Sequence, residues 1–501
     1  MKAFLLPLCL SSLLFAASET YHPDRLEQFY DEFLTEERTI LEERGVTSRH
    51  NYTPPPNPTA PPFKTGMLPV VLVNNSSLPD SSVYVLVTGE NFSSGNQFFG
   101  EINLNPGPNY GVMTQHIVSN TDNGSTYTVA LSQLPRSSGG RVFYINEQVR
   151  SGIIWFSMNN PLSMGVTGGS IVQPDPLQPV AGNSNYTTNF DIFEITWDQS
   201  NQVYADATAV SFFSIPLYAF LANATSLSSN TGLYQPRSFI LSQAAATINA
   251  NALTAASKTQ WNNLFLRNGS TILRYISTGK GMSVNFFDFK YLDNAAAYGF
   301  SYIDFLWTGV SAYYKSGTRD LVMSVTTTTP PGDAGTYTYT GNVQGDGTFL
   351  FTSNDPVHAP NVTFLAPNNT SSTLSTSFAI FSAKNLTVAA NATQPTAGSA
   401  ADAVSKLFEE ALIAGLLPLP NGQVLSLSYL TQNRGSFYTI NNNLSSTGKA
   451  TGPWYDIYSK SLHALGSIYT YGFDEPLWPE VLLQAPYTAT TYLGITIGNI
   501  Q

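Results

Sequence analysis

The sequence predicts a mainly β fold followed by a smaller mixed α/β part, and three observations carry that expectation. Short alternating apolar runs fill residues 67–217, separated by clusters of Gly, Asn, Pro and Ser. Helical spacing of apolar residues appears only later, over 242–256, 286–314 and 399–416. Charged residues are 11% of the chain while aromatics reach 13%, the balance of a β protein with a neutral, hydroxyl-rich surface.

Residues 1–18 read as a signal peptide, with Lys2 at the positive end, an apolar core over 4–15 and Ala16-Ala17-Ser18 as the cleavage site. That run is too short to cross a bilayer, and no later stretch reaches about 18 apolar residues, so a secreted protein without a membrane span is expected. The single cysteine, Cys9, falls inside this segment, so the mature chain has no disulfide, thiol or cysteine–zinc chemistry. Residues 19–46 predict an amphipathic helix with Leu26, Phe29, Tyr30, Phe33, Leu34, Ile40 and Leu41 on one side and Gly45 at its stop. The Pro-rich run over 53–62 is a stiff extended linker, which completes a 19–66 arm that either docks on the main body or holds a partner. A third, structural reading has this helix assemble a surface protein.

The β unit spans 67–217 and a mixed α/β unit 218–430. Within the latter, 242–256 is an alanine-rich helix and 286–314 carries aromatics at helical spacing. Strands resume over 321–387, and 399–416 is a helix with Val404, Leu407, Phe408, Ala411 and Leu412 on one face.

Several function classes drop out. A net charge of −11 argues against nucleic acid. The five histidines are far apart with no metal-binding spacing, so no metal is expected. With no P-loop, no G-x-G-x-x-G after a strand and no G-x-S-x-G elbow, no cofactor and no serine-hydrolase triad are expected either.

What remains is one misplaced carboxylate. In a period-2 strand over 190–197, Phe190, Ile192, Glu194 and Thr196 share one face while Phe193, Ile195 and Trp197 line the other. Glu194 thus projects from an apolar stripe, which suits either a general acid with a raised pKa or a strand-edge charge reaching solvent or an ion pair.

The surrounding text resembles glycoside hydrolase family 64, the thaumatin-like β-1,3-glucanases that include the laminaripentaose-producing type. Residues 190–196 match the family's F-[ED]-x-[FI]-E-[FI]-T strand, and 205–217 resemble its A-N-x-[ST]-x-V-D-F-x-x-[IL]-P-[IL] segment, with Asp206 where the family usually has Asn and Ser211 where it has Asp. Upstream, 68–92 is similar to the opening strand pair, Gly140-Arg141-Val142-Phe143-Tyr144 to the G-R-[IV]-[YF]-[YF] strand, and Gln173-Pro174 to the Q-P before the catalytic strand. Downstream, 291–314, Asn433-Arg434-Gly435, and 455–473 with Asp474-Glu475 continue the likeness in order. The resemblance implies a thaumatin-like β-sandwich or barrel and a mixed domain enclosing a wide cleft, with 431–501 returning to the cleft and barrel. It also implies endo-hydrolysis of β-1,3-glucan by a secreted, monomeric enzyme with inversion, Glu194 being the acid.

The same resemblance puts the catalytic base, an Asp, where this chain has Ser211. A hydroxyl cannot serve as a carboxylate base near neutral pH, and inversion needs a second carboxylate about 6.5–9.5 Å from the acid. Asp206 and Asp198 are the nearby replacements; without one, the scaffold would be a non-catalytic glucan-binding or wall-associated protein. Tyr204 is the expected sugar platform, with Thr196, Asp198 and Thr208 flanking the groove, and Trp307, Trp454, Tyr455 and Trp478 are further aromatics available to sugar.

Overall fold

The computed structural model of the protein describes residues 52–137, 139–175, 185–223, 227–251, 255–278, 313–315, 317, 319–327, 334–364, 399–439, 455–471 and 481–501. The expected leader over 1–18, the helix over 19–46, Trp307, Trp454, Asp474, Glu475, Trp478 and most of 286–314 lie outside the described residues.

One large sheet dominates. Its main strands, in chain order, are β1 (Leu68–Asn74), β2 (Val83–Asn91), β3 (Gln97–Ile102), β4 (Val112–Ile117), β5 (Gly140–Ile145) and β6 (Val149–Met158). They continue with β7 (Phe190–Trp197), β8 (Gln202–Ala207), β9 (Leu217–Ala222), β10 (Leu227–Gly232), β11 (Leu483–Pro486) and β12 (Tyr492–Ile497). Across the sheet they run β10, β9, β12, β1, β5, β4, β3, β2, β6, β7, β8, β11. Neighbours are antiparallel except β1 with β12 and β4 with β5. The sheet curls until β10 and β11, its two ends, lie side by side. There the Thr231 hydroxyl shares its proton between Val481 O at 2.7 Å and Ser467 O at 2.9 Å, so the barrel is nearly closed.

Alternation explains the packing on both faces. Inward residues such as Val70, Val85, Phe143, Ile154, Phe193, Ile195, Ala205, Leu221 and Ile495 fill the barrel and are all buried. Outside, Leu86, Trp155, Phe190 and Phe212 form a second cluster with Leu266 and Ile276. A third, with Val71, Val142, Tyr144, Phe220 and Tyr492, faces the Pro-rich segment. That segment lies on the barrel as a strap. Proline has no N–H, so its carbonyls make the bonds: Tyr492 Oη donates to Pro58 O at 3.2 Å and Tyr144 Oη to Pro62 O at 3.0 Å.

The mixed part holds a three-stranded sheet of Phe212–Phe213, Phe265–Asn268 and Thr271–Ile276, and a five-stranded sheet whose central strands are Leu321–Thr327, Gly335–Val343 and Phe349–Ser353. Helix α1 (Arg237–Asn251) starts five residues before the alanine-rich stretch suggested, because Pro236 fixes the backbone for a first turn and accepts from Ile240 N at 3.1 Å. A separate helix covers Ala255–Asn263. Helix α2 (Ala400–Ile413) is capped by Ser399, whose side chain accepts from Asp402 N, and ends at Gly415 with φ of 75°. On its inner side Glu409 is fully buried, neither carboxyl oxygen has a hydrogen-bond partner, and burial holds its pKa well above the usual range. Helix α3 (Ile457–His463) packs on α1.

Candidate functional site

β7 and β8 form a hairpin with Glu194 opposite Asp206 and Thr196 opposite Tyr204. Since Phe193, Ile195 and Trp197 fill the barrel, these four residues stand on its outer face. Directly opposed positions put the two Cβ atoms about 4.5–5.5 Å apart. On the far side of Glu194 is Ile153 of β6, which packs against the outer cluster, and beside Tyr204 is Gln484 of β11. The surface thus passes from a buried floor at Trp155 and Phe190 to a half-open strip carrying Glu194, Thr196 and Tyr204, with Asp206 more deeply set.

Asp198 is engaged elsewhere. Its Oδ1 accepts from Gln202 N and Ser200 Oγ, both at 2.8 Å, which shapes the turn between β7 and β8. Four residues along a strand is about 13 Å, beyond the distance at which it could share a sugar with Glu194. Its charge nevertheless acts locally: burial first, and Asp198 second, raise the Tyr204 phenol, which keeps its proton to donate at neutral pH.

Thr208 is buried where the chain leaves β8, bridged to Tyr469, and Ala209 N donates to Tyr469 O at 2.6 Å. Ser211 is half-buried at the junction with the three-stranded sheet, its carbonyl accepting from Ser277 N at 3.0 Å. Tyr455 is buried with its hydroxyl on Asn251 Oδ1 at 2.7 Å, a packing position and not an open platform. The outer-face residues of β7 and β8 therefore offer one close carboxyl pair, Glu194 with Asp206, and one half-open aromatic, Tyr204, the ring of Phe190 being buried.

Three charged residues that the sequence reading did not single out hold this strip in place. Asp191, buried at the start of β7, accepts at Oδ2 from Ser214 N and Ile215 N, both at 2.7 Å, and at Oδ1 from Ile192 N at 2.8 Å. Burial pushes its carboxyl up to about 7; the three N–H bonds and the Arg274 guanidinium pull the other way. Arg274 donates to the carbonyls of Asn185, Tyr186 and Thr188 and lies 4.3 Å over the Phe190 ring. Arg237 donates to Ser214 O at 2.6 Å and Leu273 O at 2.9 Å. Burial brings both arginines down to about 10, with Asp191 resisting. Together they fasten 211–215 and the three-stranded sheet to the base of β7. The available signal was Arg274 itself, a cation between Leu273 and Tyr275 in an apolar run, as anomalous there as Glu194 is in β7.

Comparison with known proteins sets this geometry in a family. The sequence profile of glycoside hydrolase family 64, described as β-1,3-glucanase, matches residues 66–410. No curated protein matches the chain significantly. Among solved structures, the fold is similar to a β-1,3-glucanase domain from Clostridium beijerinckii, with a TM-score of 0.58 and 17% identity over 87% of this chain and 100% of that one. It is equally similar to a laminaripentaose-producing β-1,3-glucanase solved with laminaritetraose, with a TM-score of 0.58 and 18% identity over 87% of this chain and 99% of that one. A laminaripentaose-producing enzyme from Paenibacillus barengoltzii, complexed with laminarihexaose, aligns at a TM-score of 0.50 and 14% identity over 87% of this chain and 76% of that one.

Proposed function

The chain belongs to glycoside hydrolase family 64, the β-1,3-glucanases, and from that premise we propose that it cleaves β-1,3-glucan on the outer face of β7 and β8. The observation that carries the assignment of roles is the direct pairing of Glu194 with Asp206. Glu194 gives its proton to the glycosidic oxygen as the bond to the anomeric carbon breaks. Asp206 takes a proton from the water that attacks that carbon from the opposite side, and the product emerges with inverted configuration.

Inversion asks the carboxyl groups to stand about 6.5–9.5 Å apart, so the two side chains must diverge from their opposed Cβ atoms. The unequal side-chain lengths help, since Glu194 reaches one methylene further than Asp206. Tyr204 offers a ring and a hydroxyl donor, and Thr196 a hydroxyl, to the sugar beside the pair. Ser211 takes no part in proton transfer. We place the enzyme outside the cytoplasm, a reading supported by the charged end, apolar core and small-residue site within residues 1–18.

Release of reducing sugar from laminarin tests the assignment. Wild-type protein hydrolyses it, and Glu194→Gln and Asp206→Asn each remove turnover while leaving the thermal midpoint in place. Full activity in a folded Asp206→Asn variant would overturn the role given to that residue.

A further inference from the structure

The geometry points to a second sugar site at the mouth of the barrel, on the side of β7 opposite Glu194. An open cavity of about 450 Å³ lies there, lined by Asn91 and Phe92 at the end of β2, by Asn146, Glu147 and Gln148 in the β5–β6 turn, and by Trp197 at the end of β7. That volume suits one or two pyranose rings and lies within the range of small-molecule sites.

The lining fits a neutral, polyhydroxylated ligand. A pyranose presents an apolar face for an aromatic ring and equatorial hydroxyls that both donate and accept, and planar amides and carboxylates match those hydroxyls. None of the lining side chains is basic, so an anion finds no counter-charge. Two lining residues hold polar atoms that are buried and have no hydrogen-bond partner: Trp197 Nε1, a donor on a residue only 4% exposed, and Asn146 Oδ1, an acceptor. Both atoms lie below the accessible surface; what the cavity itself offers is the half-buried ring of Phe92, the half-buried amide residues Asn91, Asn146 and Gln148, and the exposed Glu147.

The rest of the wall is held in shape without ligand. Asn91 Nδ2 donates to Gln115 Oε1 at 2.7 Å, and Gln115 Nε2 donates to Gln148 O at 3.0 Å. The Arg150 guanidinium lies 5.9 Å from the centre of the Phe92 ring and is fixed by Glu90 at 2.8 Å. The β7–β8 turn connects the two sites, since Gln148 Nε2 reaches Asn201 Oδ1 at 3.3 Å. The occupant is a stretch of the same β-1,3-glucan, held but not cut; this choice of glucan rests on the function proposed above.

The experiment uses the full chain carrying Glu194→Gln, so that ligand is bound and not consumed. Calorimetric titration with laminaritetraose should show a second equivalent bound, and Phe92→Ala with Asn146→Ala should remove it. The same pair of changes in the active chain should weaken retention on insoluble β-1,3-glucan by about tenfold and leave hydrolysis of soluble laminaritetraose unchanged. Glu147→Trp, at an exposed lining position, plugs the mouth and should act alike if the double variant folds poorly. A single equivalent, untouched by any of these changes in folded protein, overturns the site. Binding of cellotetraose or xylotetraose that depends on Phe92, in a protein that neither binds nor cleaves laminarin, keeps the pocket as a sugar site and overturns the choice of glucan.

Discussion

Asp191 and Ile215 are joined by a 2.7 Å hydrogen bond from the Ile215 amide to the buried Asp191 carboxylate, and Ser214 N adds a second at the same distance. The contact ties the first residues of β7 to the segment that follows Ser211. It sits three residues before Glu194, so the carboxylate that anchors the strand and the one assigned to chemistry belong to opposite faces of one ladder.

Removing that anchor should be expensive. Asp191→Ala leaves three peptide N–H groups without their acceptor and two buried arginines without the charge that opposes theirs, and we expect a loss of about 3–5 kcal/mol, read from urea unfolding. A shift below about 1 kcal/mol would mean that water replaces the carboxylate without penalty.

The same residue gives a signed pH dependence. Its folded-state pKa of about 7 lies above the ordinary 3.8, so below about 4 both folded and unfolded chains hold the proton. Between about 4 and 7 the folded chain alone keeps it, and stability falls as pH rises through that window. The urea midpoint of Asp191→Asn should therefore decline less than that of wild type between pH 4.5 and 7.5. Parallel curves would contradict the assignment.

For the proposed site, Glu194→Gln and Asp206→Asn are each expected to lower kcat on laminarin by about 10²–10⁴-fold. Ser211→Asp should add nothing while Asp206 is present. A sharp gain in Ser211→Asp, with Asp206→Asn still active, would place the base at position 211.

Stereochemistry separates the two ways a paired set of carboxyls can act. Proton NMR of the first product from laminarin should show the α-anomer, the inverted outcome. Initial β-anomer would mean that the pair converges to about 5–5.5 Å and works through a covalent glycosyl-enzyme.

Glu409 provides a test in the opposite sense. A fully buried carboxyl with no partner is paid for by the rest of the fold, so Glu409→Met should raise the unfolding free energy, read from the urea midpoint, by about 1–3 kcal/mol. Destabilisation instead would show that the side chain is satisfied by solvent.

Strand alternation made much of the site legible in advance. It assigned Phe193, Ile195 and Trp197 to one face and Glu194 and Thr196 to the other, because a period of two leaves no other arrangement. Order along the chain could not reveal that Asp206 stands opposite Glu194, since register depends on how Asp198 folds the turn. The Asp191, Arg237 and Arg274 cluster was illegible for a different reason. Its members are far apart in sequence and meet only once the barrel and the three-stranded sheet have packed together. Thr208 was named a groove residue from the family resemblance and Tyr455 a sugar contact from residue type, yet tertiary packing encloses both.

The pairing of β1 with β12 has a kinetic consequence. Val70 lies beside Leu493, more than four hundred residues along the chain, and β1 is a middle strand of the barrel. No amount of early local structure can complete that barrel: β1 keeps one bare edge until the segment containing Ile497 has left the ribosome. Closure of the barrel is therefore late and slow, as contacts of such long range require. By the same logic, a single backbone cut within the mixed part would leave two pieces still bound to each other by the parallel seam between their first and last strands.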